Sequence, residues 1–118
     1  MDQSKVFERL HAILVETARA RRTISDGELM ARLGWNDHGR TRALFLAFLL
    51  RSIGYIQYRI GAVPLLPAIV VSGDTGRPAP SFYQLARECG RLREAEDEET
   101  FWLRELAKVF SFWGNGAR

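Results

Sequence analysis

The run Thr23-Ile24-Ser25-Asp26-Gly27-Glu28-Leu29-Met30-Ala31-Arg32-Leu33-Gly34 constrains this chain more than any other. Ser25 followed three residues later by Glu28 is a capping box, in which hydroxyl and carboxylate take orphan amides of a helix's first turn. Gly34 stands where a left-handed residue closes a helix. Together these signals predict a helix over about 26–33, with Leu29 and Leu33 inward. Asn36-Asp37-His38-Gly39 is a cluster of turn formers. A further helix is expected over about 40–53, ending at Gly54. Two helices around a tight polar turn, after a longer first helix, make a helix-turn-helix pattern.

The longer helix is predicted over 4–22, where Val6, Leu10, Ile13, Leu14 and Ala18 recur at helical spacing. Arg19, Arg21 and Arg22 fall in its last turn. Cations there complement the helix dipole, and the same cluster suits a phosphate. Beyond Gly54, Tyr55–Ile60 alternates like a half-buried strand, and Leu65–Val71 reads as a second strand interrupted by Pro67. Residues 72–80 are a turn cluster. Ser81 with Gln84 forms a second capping box, opening a helix from Phe82 to about Leu92. The acidic stretch Glu94 to Glu99 leads into a last helix over about 100–113, with Leu103, Leu106, Phe110 and Trp113 as its buried stripe. The order predicts one domain, 1–118, of α+β class and mostly α: a winged helix-turn-helix-like domain with a two-stranded unit and two extra C-terminal helices.

Composition narrows the function. A chain of 118 residues that is 47% hydrophobic and 26% charged is ordinary globular protein. Cys89 is the single cysteine, so no internal disulfide forms and a cytoplasmic location is expected. His11 and His38 are the only histidines and are not spaced as ligands, so neither metal nor cofactor is expected. Gly73-Asp74-Thr75-Gly76 lacks the lysine of a phosphate loop. Cys89 has no histidine near it in sequence, so no enzyme is expected. The longest apolar run, Ala43 to Leu50, is short for a membrane span, and no membrane partner is expected. The formal charge of +3 is uneven: residues 1–60 hold ten cations and six acids, and residues 61–118 hold seven and eight. A basic front half suits a polyanion.

The span from Thr23 to about Phe82 resembles the C-terminal winged-helix domain of the alkylguanine-DNA alkyltransferases and their catalytically dead alkyltransferase-like relatives. The matching pieces are Thr23-Ile-Ser-Asp-Gly27-Glu-Leu29-Met-Ala31, Thr41-Arg42-Ala43-Leu44, Pro67-Ala68-Ile69-Val70-Val71 and the turn from Gly73 to Phe82. The resemblance implies duplex DNA binding, with Arg42 filling the gap left by a flipped base. Ala68 stands where the family has its nucleophilic cysteine, Ile69 and Val70 replace its histidine and arginine, and Asp26 replaces its tyrosine. Alkyl transfer is therefore chemically impossible at that position.

Two functions follow from different features. The first is a non-enzymatic DNA-binding protein of low sequence specificity, contacting phosphates through Arg40, Arg42, Arg51, Arg21 and Arg22. The second is a protein-interaction module, a small bacterial regulator or inhibitor of the kind mobile elements carry. It would use an apolar patch of Phe45, Leu46 and Leu49 on the recognition helix, with Leu44, Ala47 and Phe48 packed on the core. A homodimer, another protein, or cover by the last helix of the same chain would shield that patch.

Overall fold

The computed structural model of the protein describes residues 3–35, 39–61 and 63–115. It is mostly helical, with helices α1 (Gln3–Arg19), α2 (Asp26–Arg32), α3 (Arg40–Ile60), α4 (Pro80–Glu88) and α5 (Glu98–Asn115). A two-stranded parallel sheet joins β1 (Ile24–Ser25) to β2 (Val70–Val71), pairing Ile24 with Val70 and Ser25 with Val71. The turn expected at Asn36, Asp37 and His38 lies outside the described residues.

The first two helices follow their local signals. Leu10, Leu14 and Ala18 of α1 are fully buried. Ser25 caps α2, its hydroxyl accepting the Glu28 N–H at 3.1 Å, and Gly34 follows the helix at φ +83°. Leu29 and Leu33 are buried, as expected.

The third helix departs from expectation. Tyr55–Ile60 is helix, not strand, and α3 runs unbroken through Gly54 to Ile60. Gly54 is a contact rather than a stop: a Cβ there would collide with Leu85 Cδ2 of α4. Burial of Ile53 and Gln57 keeps the helical period inward, overriding the β-favouring Tyr and Ile side chains. The helix ends at Gly61, φ +111°, whose N–H reaches Gln57 O at 3.1 Å.

Leu65–Val71 likewise is not one strand. Pro67 cannot donate to a ladder, and Leu66–Ile69 winds into a short 3-10 turn before β2. This fully buried turn packs against α1, α3 and α5. The two-stranded unit thus keeps only the last two residues of the expected second strand, Val70–Val71, and pairs them with Ile24–Ser25 before α2 instead of with Tyr55–Ile60.

The C-terminal helices begin earlier than predicted. Pro80, with its preset φ and no N–H to satisfy, starts α4, and Ser81 makes no cap. Asp97 caps α5, accepting the Thr100 N–H at 2.9 Å and its hydroxyl at 2.8 Å. The buried stripe of α5 is Phe101, Trp102, Glu105 and Val109, with Leu106, Phe110 and Trp113 partly buried against the core. Leu103 is exposed.

Candidate interaction face on the third helix

No acidic residue occurs in the 21 residues of α3, and the helix has two unlike faces. Leu46, Leu49, Ile53 and Gln57 are buried. Leu44, Phe48, Tyr55 and Tyr58 point outward at 61%, 62%, 46% and 39% exposure, and Ile56 and Ile60 are exposed toward the helix's end. Six of the eight exposed large hydrophobic side chains among the described residues therefore lie on one helix. Soluble chains ordinarily scatter such residues singly.

The anticipated patch is corrected by this geometry. Leu46 and Leu49 are core residues, and Phe45 is half-buried, stacked on Trp35 at 5.6 Å between ring centroids. Leu44 and Phe48, assigned inward from sequence, are the exposed pair. The two faces exchange because Trp35 claims one flank of α3 and the 3-10 turn and α4 claim another. Sequence periodicity located an apolar helix without saying which side the rest of the chain would cover.

The arginines separate into different environments. Arg40 is exposed at the first position of α3. Arg42 lies over the buried Trp35 ring, its guanidinium carbon 5.0 Å from the centroid, and Phe45 stacks on the same ring. Arg51 is ion-paired with Glu88 of α4. Arg21 and Arg22 are exposed just beyond α1. Arg21 sits at φ +56°, with its guanidinium close to Gly114 of α5. The five arginines assigned to phosphate contact thus divide between the α3 surface and the distant turn after α1.

A buried polar cluster fixes the end of α3. Gln57 Oε1 accepts the Leu66 N–H at 2.9 Å, and Glu105 Oε2 accepts the Leu65 N–H at 2.8 Å. Arg91 donates to the same carboxylate at 3.1 Å and to the carbonyls of Gly61 and Val63, each at 2.9 Å. The bonds to Leu65 and Leu66 satisfy buried amides that follow the helix end, as low-dielectric interiors require. Periodicity did not single out Gln57, Glu105 or Arg91, because their partners are backbone groups far away in sequence.

Positions taken from the alkyltransferase resemblance are occupied by structural contacts. Ala68 is fully buried, and its carbonyl accepts the Trp102 indole N–H at 2.9 Å. Asp26 Oδ1 accepts the N–H of Gly27 at 2.8 Å and of Gly73 at 3.3 Å, tying α2 to the turn after β2. Cys89 is buried at the end of α4, and burial pushes its thiol pKa up, which keeps it neutral. The acids after Glu94 are engaged with neighbours: Glu96 with Arg104, Glu98 with Arg87, Glu99 with Arg77.

An apolar groove of about 400 Å³ opens between α1, α3 and α5, lined by residues including Phe7, Ile56, Ile60 and Phe112; Glu8 and His11 are its titratable members among the described residues. No group of three His, Cys, Asp or Glu among the described residues could hold a metal ion. By length and composition α3 is also apolar enough to cross a membrane. In this fold, however, one side of it is committed to the core.

The chain matches no protein-family model, no curated protein and no solved structure.

Proposed function

We propose that this chain is a non-enzymatic protein-interaction module whose docking surface is the outward face of α3. The observation that carries the proposal is the concentration of exposed Leu44, Phe48, Tyr55 and Tyr58 along one helix whose other side is packed. Large apolar and aromatic side chains gain by leaving water, and Tyr is a frequent interface anchor. The buried free thiol of Cys89 suits a cytoplasmic setting. Replacing Phe48 by the photo-crosslinker benzoylphenylalanine tests the surface in cells, with the same replacement at exposed Leu103 of α5 as control. Adducts formed at position 48 and not at 103 are expected; none at 48 would overturn the proposal.

A second reading, duplex DNA binding by a winged-helix relative of the alkyltransferases, is favoured by one observation: α3 has four arginines and no acid, and Arg40 is exposed at its start. With few phosphate contacts, log affinity should fall with log salt at a slope of roughly −3. Arg40→Glu should remove retention on a DNA column. Unchanged retention would exclude α3 as the contact.

A further inference from the structure

The outward residues of α3 are spaced as a coiled-coil seam. Thr41, Leu44, Phe48, Arg51, Tyr55 and Tyr58 are all exposed and follow one another at alternating intervals of three and four. That is the a/d pattern of a heptad over two and a half repeats, and in an α-helix it places every member on one stripe. The stripe spans about 26 Å at 1.5 Å per residue. A heptad seam wants another helix, and what lies along it determines which one.

We infer that a second copy of this chain lays its own α3 antiparallel along this stripe, forming a two-fold dimer; the inference rests on the proposed docking role of that face. The stripe is complementary to itself in one register. With the two-fold axis beside the midpoint between Leu49 and Leu50, each layer pairs an a position with a d position of the other helix. Leu44 then meets the partner's Tyr55, Phe48 meets the partner's Arg51, and Thr41 meets the partner's Tyr58. An aliphatic side chain packs on an aromatic face in the first layer, and a guanidinium packs on a phenyl ring in the second. Every contact occurs twice, as an isologous interface demands.

Charge allows a second copy as occupant of the central layers. A helix with four arginines and no acid ordinarily repels itself. Here the seam's one cation, Arg51, is already neutralised within its own chain by Glu88 of α4. Arg40 and Arg59 flank the stripe at its two ends, and Arg42 is held on Trp35. The central layers therefore bring together no uncompensated like charges. The opposite face of α3 is packed on the core, so docking leaves the fold of each copy unchanged.

The register makes the test specific. In a chain also carrying Cys89→Ala, Leu44→Cys combined with Tyr55→Cys should give an oxidised covalent dimer. Leu44→Cys alone should not, because antiparallel helices hold the two copies of position 44 about 16 Å apart. The two cysteines of one chain are equally far apart and cannot close on themselves. Sedimentation of the wild type between about 1 and 200 µM should show a monomer–dimer equilibrium. Phe48→Glu should abolish it with the melting temperature of the monomer unchanged. A wild type that stays monomeric over this range, or cross-linking by Leu44→Cys alone, overturns antiparallel self-pairing. Photo-adducts from position 48 then separate the two failures. Adducts to a different protein overturn the dimer and leave the docking face standing. Adducts to DNA move α3 to the second reading. An absence of adducts removes the docking face as well.

Discussion

Glu105 of α5 accepts the backbone N–H of Leu65 at 2.8 Å while only 2% exposed, although forty positions separate the two residues. The same oxygen receives Arg91, so one buried carboxylate joins the last helix, the segment after α4 and the entry to the 3-10 turn. Cutting this connection leaves the buried Leu65 amide without an acceptor and takes from Arg91 its charged partner, leaving only its bonds to the Gly61 and Val63 carbonyls. Glu105→Ala is expected to cost about 3–5 kcal/mol, the range for removing one member of a buried charged pair. Glu105→Gln should cost less, because its amide oxygen still accepts the Leu65 N–H. Chemical denaturation of the three proteins measures both, and equal losses for Ala and Gln would contradict this account.

Gly54 tests whether α3 and α4 are as close as their side chains indicate. Gly54→Ala favours the helix by up to about 1 kcal/mol on propensity alone. The added methyl meets Leu85, and overpacking of this kind costs about 1–3 kcal/mol. A net loss of stability is expected, recovered in part by Leu85→Ala in the same chain. A stabilised single variant would show the contact to be looser than described.

Trp35 links the start of α3 to α2. Its ring is buried and contacts both Arg42 and Phe45, so Trp35→Ala should cost about 3–5 kcal/mol. Arg42→Ala, which removes only the cation above the ring, should cost about 0.5–2 kcal/mol. Thermal melts of the two variants should rank in that order.

Acid should loosen the start of α5 before it reaches the core. The Thr100 N–H holds the Asp97 carboxyl below its ordinary pKa, and Arg104 does the same for Glu96. A depressed folded-state pKa contributes stability that is complete above the unfolded value and lost as pH falls through the folded one. Urea midpoints should therefore decline from about pH 5 downward. Asp97→Asn, whose amide oxygen can still accept the cap bonds but which cannot titrate, should flatten the part of that decline due to Asp97. A slope identical to wild type would dissociate the cap from the acid response.

Ala68 has no atom that can form a thioether, and the neutral thiol of Cys89 is buried. Incubation with alkylguanine-containing DNA should leave the intact mass unchanged. A gain of one alkyl group would contradict this.

The sequence by itself determined what local chemistry can dictate. The Ser25 cap and Gly34 stop bounded α2, and the spacing of Leu10, Leu14 and Ala18 oriented α1, because capping bonds and helical periodicity need only near neighbours. Tertiary structure decided the rest. Tyr55–Ile60 has strand-like composition, yet Gln57 bonding to Leu66 and Gly54 packing on Leu85 carry the helix onward. Pro67 and the buried seat against three helices turned Leu66–Ile69 away from the ladder. The side of α3 left to solvent was the decisive omission. An apolar helix offers two plausible faces to a core, and only the placement of Trp35, the 3-10 turn and α4 covered Leu46 and Leu49 and left Leu44 and Phe48 outside.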